Sequence, residues 1–477
     1  MADGSVDPPL VYSFEDTPSP TGGSAVGQYL YSYLNAIHAR TFVREEDYID
    51  KDYLIDYSKF YARSFDMYRK YTTRYHFFKT RFTDNEFKKA LNSGDQDFFT
   101  RLNEEYLGFV VIKPIKDMGG HYLIGKTLLA TYPLDDGDNT RVYLSNNVEV
   151  SLFGIHLEIE STPFQVQDLA VGACATIACW TSLFPLANLF GIQAYSPSEV
   201  TEKSVAFPSD SRNFPSDGLT IIQMKNYFNS IGLETDFIDP KKIVDYEDYA
   251  ADDDIVADAV RAHLQLGLPI IAGLDLRNGG ESSGYHAVVI TGYKHKNGTL
   301  TELYAHDDSI GPYCYVKPDP TSKLHSWVNE WLDSGYEEVL VNRLLIPVYP
   351  KIRLSFSRIY GLYLKYKHLS GQQIESGNLD GETKVELFLT DIKEYKNFLS
   401  GMNFSTTLKD GTITDKVTTL CKPFPRFIWI IRFQCYGTPH YDYIFDGTSV
   451  YPDLVADIVY DYNNSREGSD RFTTVVT

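Results

Sequence analysis

The spacing of apolar residues divides the first part of the chain into two regions. Residues 28–106 are rich in tyrosine and mostly helical in pattern, and "TDNEFKKALNSG" carries a capping box, Thr83 with Glu86, before a stop at Gly94. From Leu107 the period changes to two, in short runs such as "FVVIKPI" and "IHLEIE". The pattern predicts a helical region followed by a β-rich module.

A run of thirty residues, 169–198, contains no Asp, Glu, Lys or Arg. Its length imitates a membrane span, but Pro185 and several other proline, glycine and amide residues interrupt it. We therefore predict a fully buried helix, from Ala173 to about Phe184, that runs through the core of a soluble protein. The stretch "SPSE" near the end of the run has the pattern of a capped helix start.

The order of the elements that follow predicts an α+β fold. Further helical patterns precede three strand patterns, "LPIIAGLDL", "GYHAVVITGYKHKNG" and "TLTELYAHDDSIGPY", and helices followed by an antiparallel sheet are typical of this class. We expect four regions: a disordered tail and helical lead-in at 1–106, a β-rich module at 107–160, a core at 161–349 and a C-terminal α+β module at 350–477.

Composition and charge limit the classes of binding partner and the cellular compartment that we expect for this protein. The formal charge of 44 minus 64, or −20, repels phosphate backbones and anionic lipid, so we expect neither a nucleic-acid nor a membrane partner. A secretory signal has a basic region followed by an apolar region, and the amino terminus of this sequence lacks this pattern, so we expect no such signal. Five scattered cysteines are no disulfide framework, and they favour a reducing cytoplasm.

The stretch "GHYLIGKT", residues 120–127, matches the phosphate-binding pattern GxxxxGK[ST]. A phosphate-binding loop needs small flexible residues and a helix that begins at its lysine. Here the four middle residues are bulky, and Pro133 follows within two helical turns. The context therefore argues against a nucleotide hydrolase and predicts a β-strand.

Three segments each place a reactive group where a cysteine hydrolase needs one. Cys174 follows small residues and opens the apolar helix, where the helix dipole and free amides favour a thiolate. His286 lies on one face of a strand that can pack against this helix. Strand alternation turns Asp307 toward the same surface and Asp308 away from it. We predict Cys174 as nucleophile, His286 as base and Asp307 as the residue that orients the imidazole.

The segments "GACATIA", "GYHAVVITGY" and the strand ending in "HDD" resemble the papain-like cysteine peptidases, most closely the bacterial C39-like branch. The resemblance covers residues 160–320 and implies a papain-like core: a central helix that carries the cysteine, packed on an antiparallel sheet that carries histidine and aspartate. It also implies an oxyanion donor ahead of the cysteine. Gln167 is assigned to this role and Gln165 is its alternate, while Cys179 is the alternate nucleophile.

The function predicted from these residues is that of a cysteine peptidase or related thiol hydrolase acting on a peptide or protein substrate. It needs no cofactor and no metal. Two alternatives stay open. One is a catalytically inactive interaction protein with a papain-like fold, and the other is an amidase, deamidase or acyl transferase that uses the same three residues. The oligomeric state is not predicted.

Overall fold

The computed structural model describes residues 9–17, 21–137, 139–168, 173–206, 218–241, 254–296, 299–320, 323–377 and 379–461. Of the predicted N-terminal tail, residues 1–8 and 18–20 lie outside these ranges. The described residues form twelve α-helices: α1 Ala25–Ala36, α2 Lys51–Lys59, α3 Asp84–Ser93, α4 Gln96–Glu104, α5 Cys174–Phe190, α6 Pro197–Val205, α7 Ile221–Ser230, α8 Ile255–Leu264, α9 Glu330–Asp333, α10 Phe356–Glu375, α11 Ile392–Ser400 and α12 Lys416–Cys421.

The strands of the same ranges pair antiparallel throughout, so the predicted α+β class is confirmed. Their bounds are β1 Val11–Ser13, β2 Thr41–Tyr48, β3 Thr72–Phe78, β4 Tyr106–Lys116, β5 Tyr122–Leu129, β6 Asp135–Asp136, β7 Asn139–Tyr143, β8 Asn146–Leu152, β9 Ile155–Ser161, β10 Glu234–Ile238, β11 Ile270–Asn278, β12 Glu281–Lys296, β13 Thr299–Asp307, β14 Gly311–Asp319, β15 Lys323–Val328, β16 Glu338–Val348, β17 Thr383–Asp391, β18 Phe404–Leu408, β19 Ile413–Thr414, β20 Phe427–Cys435, β21 Thr438–Asp446 and β22 Leu454–Tyr460.

Six strands of the central region pair in a closed ring. Each of β11 to β16 pairs with the next, and β16 pairs back with β11. Strand β10 extends the ring from β16, and β7 extends it from β12. Helices α5 and α8 pack on β11 and β12, whose side chains Ala272, Leu274 and Val288 are fully buried against them. The ring therefore fixes the position of the residues that α5 presents to it.

Helix α5 continues past its predicted end near Phe184, through Pro185, to Phe190. A proline removes one helical hydrogen bond, but Leu183 and Leu186 on either side of it have no exposed surface. Packing on all sides thus outweighs the lost hydrogen bond. Gly191, with φ 68°, ends the helix. Among the described residues, no helix is long and apolar enough to cross a membrane.

The N-terminal region forms a five-stranded sheet, β1 to β5 in order, which joins residues 1–106 to the β-rich module. The predicted helical lead-in thus contributes three strands as well as four helices. Helix α2 contacts the helices of the core, because the indole of Trp180 donates to Asp52 at 3.2 Å and the amide of Ser198 donates to Asp56 at 3.1 Å. These bonds attach the N-terminal region to α5 and α6.

The stretch "GHYLIGKT" forms the turn before β5 and most of that strand, as predicted. Thr127 pairs with Phe164, and the ammonium of Lys126 lies 4.7 Å from the ring centre of Phe184. The lysine therefore lies within a strand and not at the start of a helix, and the geometry of a phosphate-binding loop is absent from this segment.

The C-terminal region forms a six-stranded sheet in the order β17, β20, β21, β22, β18, β19. Helix α10 packs on β17 and connects the sheet to the core. The hydroxyl of Tyr360 donates to Asp258 of α8 at 3.1 Å, and side chains of β20 and β21 belong to the same hydrophobic cluster as α5. The C-terminal sheet and the central ring therefore share one continuous core.

Candidate active site

Cys174 is the first residue of helix α5 and is half-buried. The N-cap residue Ala173 offers no side-chain hydrogen bond, and the first intrahelical amide bond is that of Thr176 to the carbonyl of Ala173. The amides of the first turn, including that of Cys174, therefore retain hydrogen-bonding capacity, and the positive end of the helix dipole lies at the thiol. Residues 169–172 lie outside the described ranges.

His286 lies on β12, opposite the start of α5, and is buried with 7% of its surface exposed. Its Nε2 atom lies 2.8 Å from Oδ1 of Asp307, the last residue of β13. The indole of Trp331 packs edge-on against the imidazole, with ring centres 4.9 Å apart. Strand pairing between β12 and β13 brings the histidine and the aspartate together.

Asp307 is held by several donors at once. Besides His286, the indole of Trp331 donates to Oδ2 at 2.8 Å and the amide of Ser309 donates to Oδ1 at 3.0 Å. Burial alone would raise the pKa of Asp307, but the charge of His286 and these hydrogen bonds outweigh it, and the pKa is lowered. Asp307 is therefore a carboxylate that can fix the imidazole and stabilise its charged form.

Cys174 and His286 line the same cavity, and interaction with the thiol is one of the causes that raise the pKa of His286. Since Nε2 of His286 is bonded to Asp307, Nδ1 is the ring nitrogen left for the thiol. Burial acts to lower the pKa of His286, but the charge of Asp307, the hydrogen bond to Asp307, the interaction with Cys174 and the charge of Asp308 raise it well above its usual value. The imidazole is thus a strong base beside the thiol.

Asp308 does not point away, so strict strand alternation gave the wrong orientation for this residue. Its Oδ1 atom lies 3.6 Å from Nε2 of His286, and 4% of the residue is exposed. The pairing of β13 with β14 shifts register between Ala305 and Asp307, and Asp308 follows the end of the strand, where alternation no longer holds. Burial raises the pKa of Asp308 to about 7.

The alternate nucleophile Cys179 lies inside α5 with no exposed surface, and burial raises the pKa of its thiol. Gln167, assigned as oxyanion donor, lines a second cavity of about 470 Å³ that also borders Asp308. It does not line the cavity at Cys174. Gln165 is buried, and its Nε2 atom has no hydrogen-bond partner in the part of the chain that the structure describes. Cys174 and His286 line the same cavity, and neither glutamine is among its lining residues.

A cavity of about 450 Å³ lies against Cys174 and His286. Helix α7 and the residues before it supply one wall, and β11, β12 and β16 supply the other. The lining is largely apolar, with the side chains of Leu219, Ile221, Met224 and Leu274. The guanidinium of Arg343 also borders it and pairs with Asp239 at 2.8 Å.

No local sequence pattern identifies Trp331 or the residues of the cavity wall as parts of the site. Trp331 lies 24 positions after Asp307, on the short helix α9, and its hydrogen bond depends on the path of β14 and β15 between them. The segment "NEWLDSG" signals a capped turn, with Asn329 accepting from the amide of Trp331, but no spacing pattern connects it to the site. Contacts of this kind follow from the three-dimensional path of the chain.

No family model and no curated protein matches this sequence. Among solved structures, the chain is similar to the peptidase domain of Streptococcus ComA, a bifunctional ABC transporter involved in a quorum-sensing pathway. The identity is 16%, the similarity covers 38% of this chain and 96% of that domain, and the TM-score is 0.20. At this TM-score the similarity is a weak relation to a peptidase domain and assigns no activity to this chain.

Proposed function

We propose that this chain is a cysteine peptidase or a related thiol hydrolase, with Cys174 as nucleophile, His286 as general base and acid, and Asp307 as the orienting residue. The observation that carries the proposal is the bond of His286 to Asp307 at 2.8 Å, next to a cavity that both Cys174 and His286 line. A thiol beside an imidazole that a carboxylate orients is the arrangement that activates a cysteine nucleophile.

In the proposed reaction, Nδ1 of His286 accepts the thiol proton and the resulting thiolate attacks a substrate carbonyl carbon. Asp307 stabilises the imidazolium that forms. The imidazolium then gives its proton to the leaving amine, and the C–N bond breaks to leave a thioester on Cys174. A water molecule, deprotonated by the neutral imidazole, attacks the thioester, and release of the acid returns the proton to the thiolate.

The negative oxygen formed during attack needs hydrogen-bond donors beside the cysteine. The backbone amide of Cys174, at the positive end of α5, supports this role because it belongs to the first turn of the helix. The assignment of Gln167 as a second donor stays a prediction, and its position at the neighbouring cavity is a reason to test it directly.

The cavity supports a peptide or protein substrate with an apolar side chain near the reacting bond. Its apolar wall, with Leu219, Ile221 and Met224, suits such a side chain. The net charge of −20 supports a protein or peptide partner over nucleic acid or anionic lipid, and the low cysteine content supports a cytoplasmic location.

Site-resolved alkylation tests the proposal. The full chain is treated with iodoacetamide at neutral pH, and mass spectrometry measures the rate of modification of Cys174 and of Cys421. Cys421 is exposed and serves as an ordinary thiol control. An activated nucleophile reacts faster than the control although it is half-buried, because its thiolate is stabilised by the imidazolium. Equal or slower modification of Cys174 would exclude the proposed activation.

Two variants show whether the imidazole causes the activation. His286→Ala removes the base and should reduce the rate at Cys174 to that of Cys421 or below it, without a change at Cys421. His156→Ala is the matched control, since His156 is 61% exposed in its side chain and lies on the β8–β9 hairpin. This variant should leave the rate at Cys174 unchanged.

A further inference from the structure

We propose that His286, Asp307 and Asp308 form a binding site for a divalent transition-metal ion of the zinc type, on the Nε2 side of the His286 ring. One ligand atom from each residue lies within 4.8 Å of the others, and all three residues are buried. One imidazole nitrogen and two carboxylate oxygens are a ligand set that zinc accepts, with a fourth position left for water.

Asp308 points independently to a ligand. Among the described residues, neither oxygen of its carboxyl group has a hydrogen-bond partner, although Asp308 is only 4% exposed. Buried polar atoms without partners are rare in folded proteins, and a missing ion is one of the accepted explanations. The carboxyl group is directed at the cluster, since its Oδ1 atom lies 3.6 Å from Nε2 of His286. A cation between the two groups would satisfy both.

The distances suit a small ion with little rearrangement. Bonds of about 2.0–2.1 Å in a tetrahedral zinc site place ligand atoms about 3.4 Å apart. The separation of Nε2 from Oδ1 of Asp308, 3.6 Å, is already close to this value. Oδ1 of Asp307, at 2.8 Å, must move away by about half an ångström. The bond from Trp331 to Oδ2 of Asp307 would hold that ligand from outside.

The second cavity gives a cation a route to the site. This cavity of about 470 Å³ borders Asp308, and the carboxylates of Asp117 and Asp168 also line it. Lys116 is the opposing cation among the described residues of the lining. Three carboxyl groups against one ammonium give the cavity a negative potential, which raises the local concentration of cations. The metal would thus reach His286 from the side that the substrate cavity does not occupy.

Zinc bound at this site would block catalysis by His286, a consequence that rests on the proposed function. Coordination uses the Nε2 lone pair, so the proton shared with Asp307 passes to solvent or to Nδ1. The imidazolium needs a proton on each ring nitrogen, and a metal on Nε2 prevents its formation. Zinc would therefore be a reversible inhibitor that acts without contacting Cys174.

Direct binding of Zn²⁺ to the full-length Cys174→Ser variant tests the site without any need for activity. Competition with a chromophoric chelator at neutral pH should show one bound equivalent, and Asp308→Asn in the same background should weaken affinity about tenfold or more. Glu158→Gln is the control, because Glu149, His156 and Glu158 form an exposed cluster that could also hold a metal. Loss of binding in the control, or full affinity in Asp308→Asn, would overturn the proposal.

Co²⁺ spectroscopy of the unaltered chain gives a measurement that does not depend on the folding of Asp308→Asn. Bound Co²⁺ should show visible ligand-field bands without a thiolate-to-cobalt charge-transfer band. A charge-transfer band that disappears in Cys174→Ser would place the metal on the thiol side of the ring and overturn the proposal. Zn²⁺ should also suppress hydrolysis of fluorescent casein. Absence of hydrolysis before zinc is added would count against the proposed function alone.

Discussion

Trp331 donates its indole N–H to Oδ2 of Asp307 at 2.8 Å, while the other carboxylate oxygen faces His286 at the same distance. The indole ring also covers the imidazole edge-on. A side chain from the short helix α9 thus fixes both the direction and the charge of the carboxylate that orients the proposed base. Trp331 is in this sense a positioning residue for a site that lies on other elements.

Replacing Trp331 by Phe keeps an aromatic ring but removes the donor. A hydrogen bond to a charged group contributes about 1.5–3 kcal/mol, so we expect kcat to fall by about tenfold to a hundredfold. KM should change little, because Trp331 does not line the cavity at Cys174. Steady-state kinetics on a peptide substrate measure both constants. Unchanged kcat in Trp331→Phe would show that the hydrogen bond has no role, and Trp331→Ala would then report on the ring alone.

Several elements of the fold, including those that carry Cys174 and His286, could be predicted because each has a pattern formed by neighbouring residues. The start of α5 at Cys174, the strand of His286 and the capping box of Thr83 with Glu86 follow from residues within a few positions of one another. The same holds for α6, whose capping box joins Ser196 to Glu199.

Features that depend on distant contacts could not be predicted. The strands β1 to β3 are stabilised by pairing with one another and, through β3, with β4. Helix α5 continues through Pro185 because the surrounding core packs against it. The orientation of Asp308 depends on a register shift between two strands, which apolar periodicity does not encode.

Gln167→Ala tests the oxyanion assignment. Loss of an oxyanion donor lowers kcat by about 10²–10³ in enzymes of this type. Because Gln167 lines the cavity on the Asp308 side and not the one at Cys174, we expect less than a tenfold loss of kcat, which is well below the loss caused by removal of an oxyanion donor. Gln165→Ala is the parallel variant. A loss of two orders or more in Gln167→Ala would restore this residue as a donor.

Because His263 is buried, we predict that the fold becomes less stable in acid. It has 1% exposed surface, and burial lowers its pKa to about 4. The native state therefore binds this proton less readily than the unfolded chain, so its stability is intact above pH 6.5 and falls as the pH drops toward 4. The loss is on the order of 3 kcal/mol at full protonation. Urea unfolding at a series of pH values measures it, and His263→Gln should flatten the dependence. An equally steep curve in the variant would assign the sensitivity to other groups.

The C-terminal sheet contains a buried ion pair whose loss should destabilise the chain. Arg432 contacts both oxygens of Asp442, at 2.8 and 2.7 Å, and Asp442 has no exposed surface. Asp442→Asn leaves a buried guanidinium without its counter-charge, which costs about 3–5 kcal/mol in comparable pairs. Denaturant unfolding measures the change. Asp453→Asn is the control, since its pair with Lys409 is exposed and should contribute little. Similar effects of both variants would contradict the argument.

Asp307→Asn and Asp308→Asn separate the two carboxyl groups that face His286. Asp307 bonds Nε2 at 2.8 Å, so its replacement should lower kcat by one to about four orders of magnitude. Asp308 lies farther away, at 3.6 Å, so its replacement should lower kcat by less.

Both carboxylates raise the pKa of His286, so removing either charge should let the imidazolium lose its proton at lower pH. The alkaline limb of the pH profile of Cys174 alkylation should therefore move to lower pH, more for Asp307→Asn than for Asp308→Asn. A larger shift in Asp308→Asn would make Asp308 the principal partner of the imidazole.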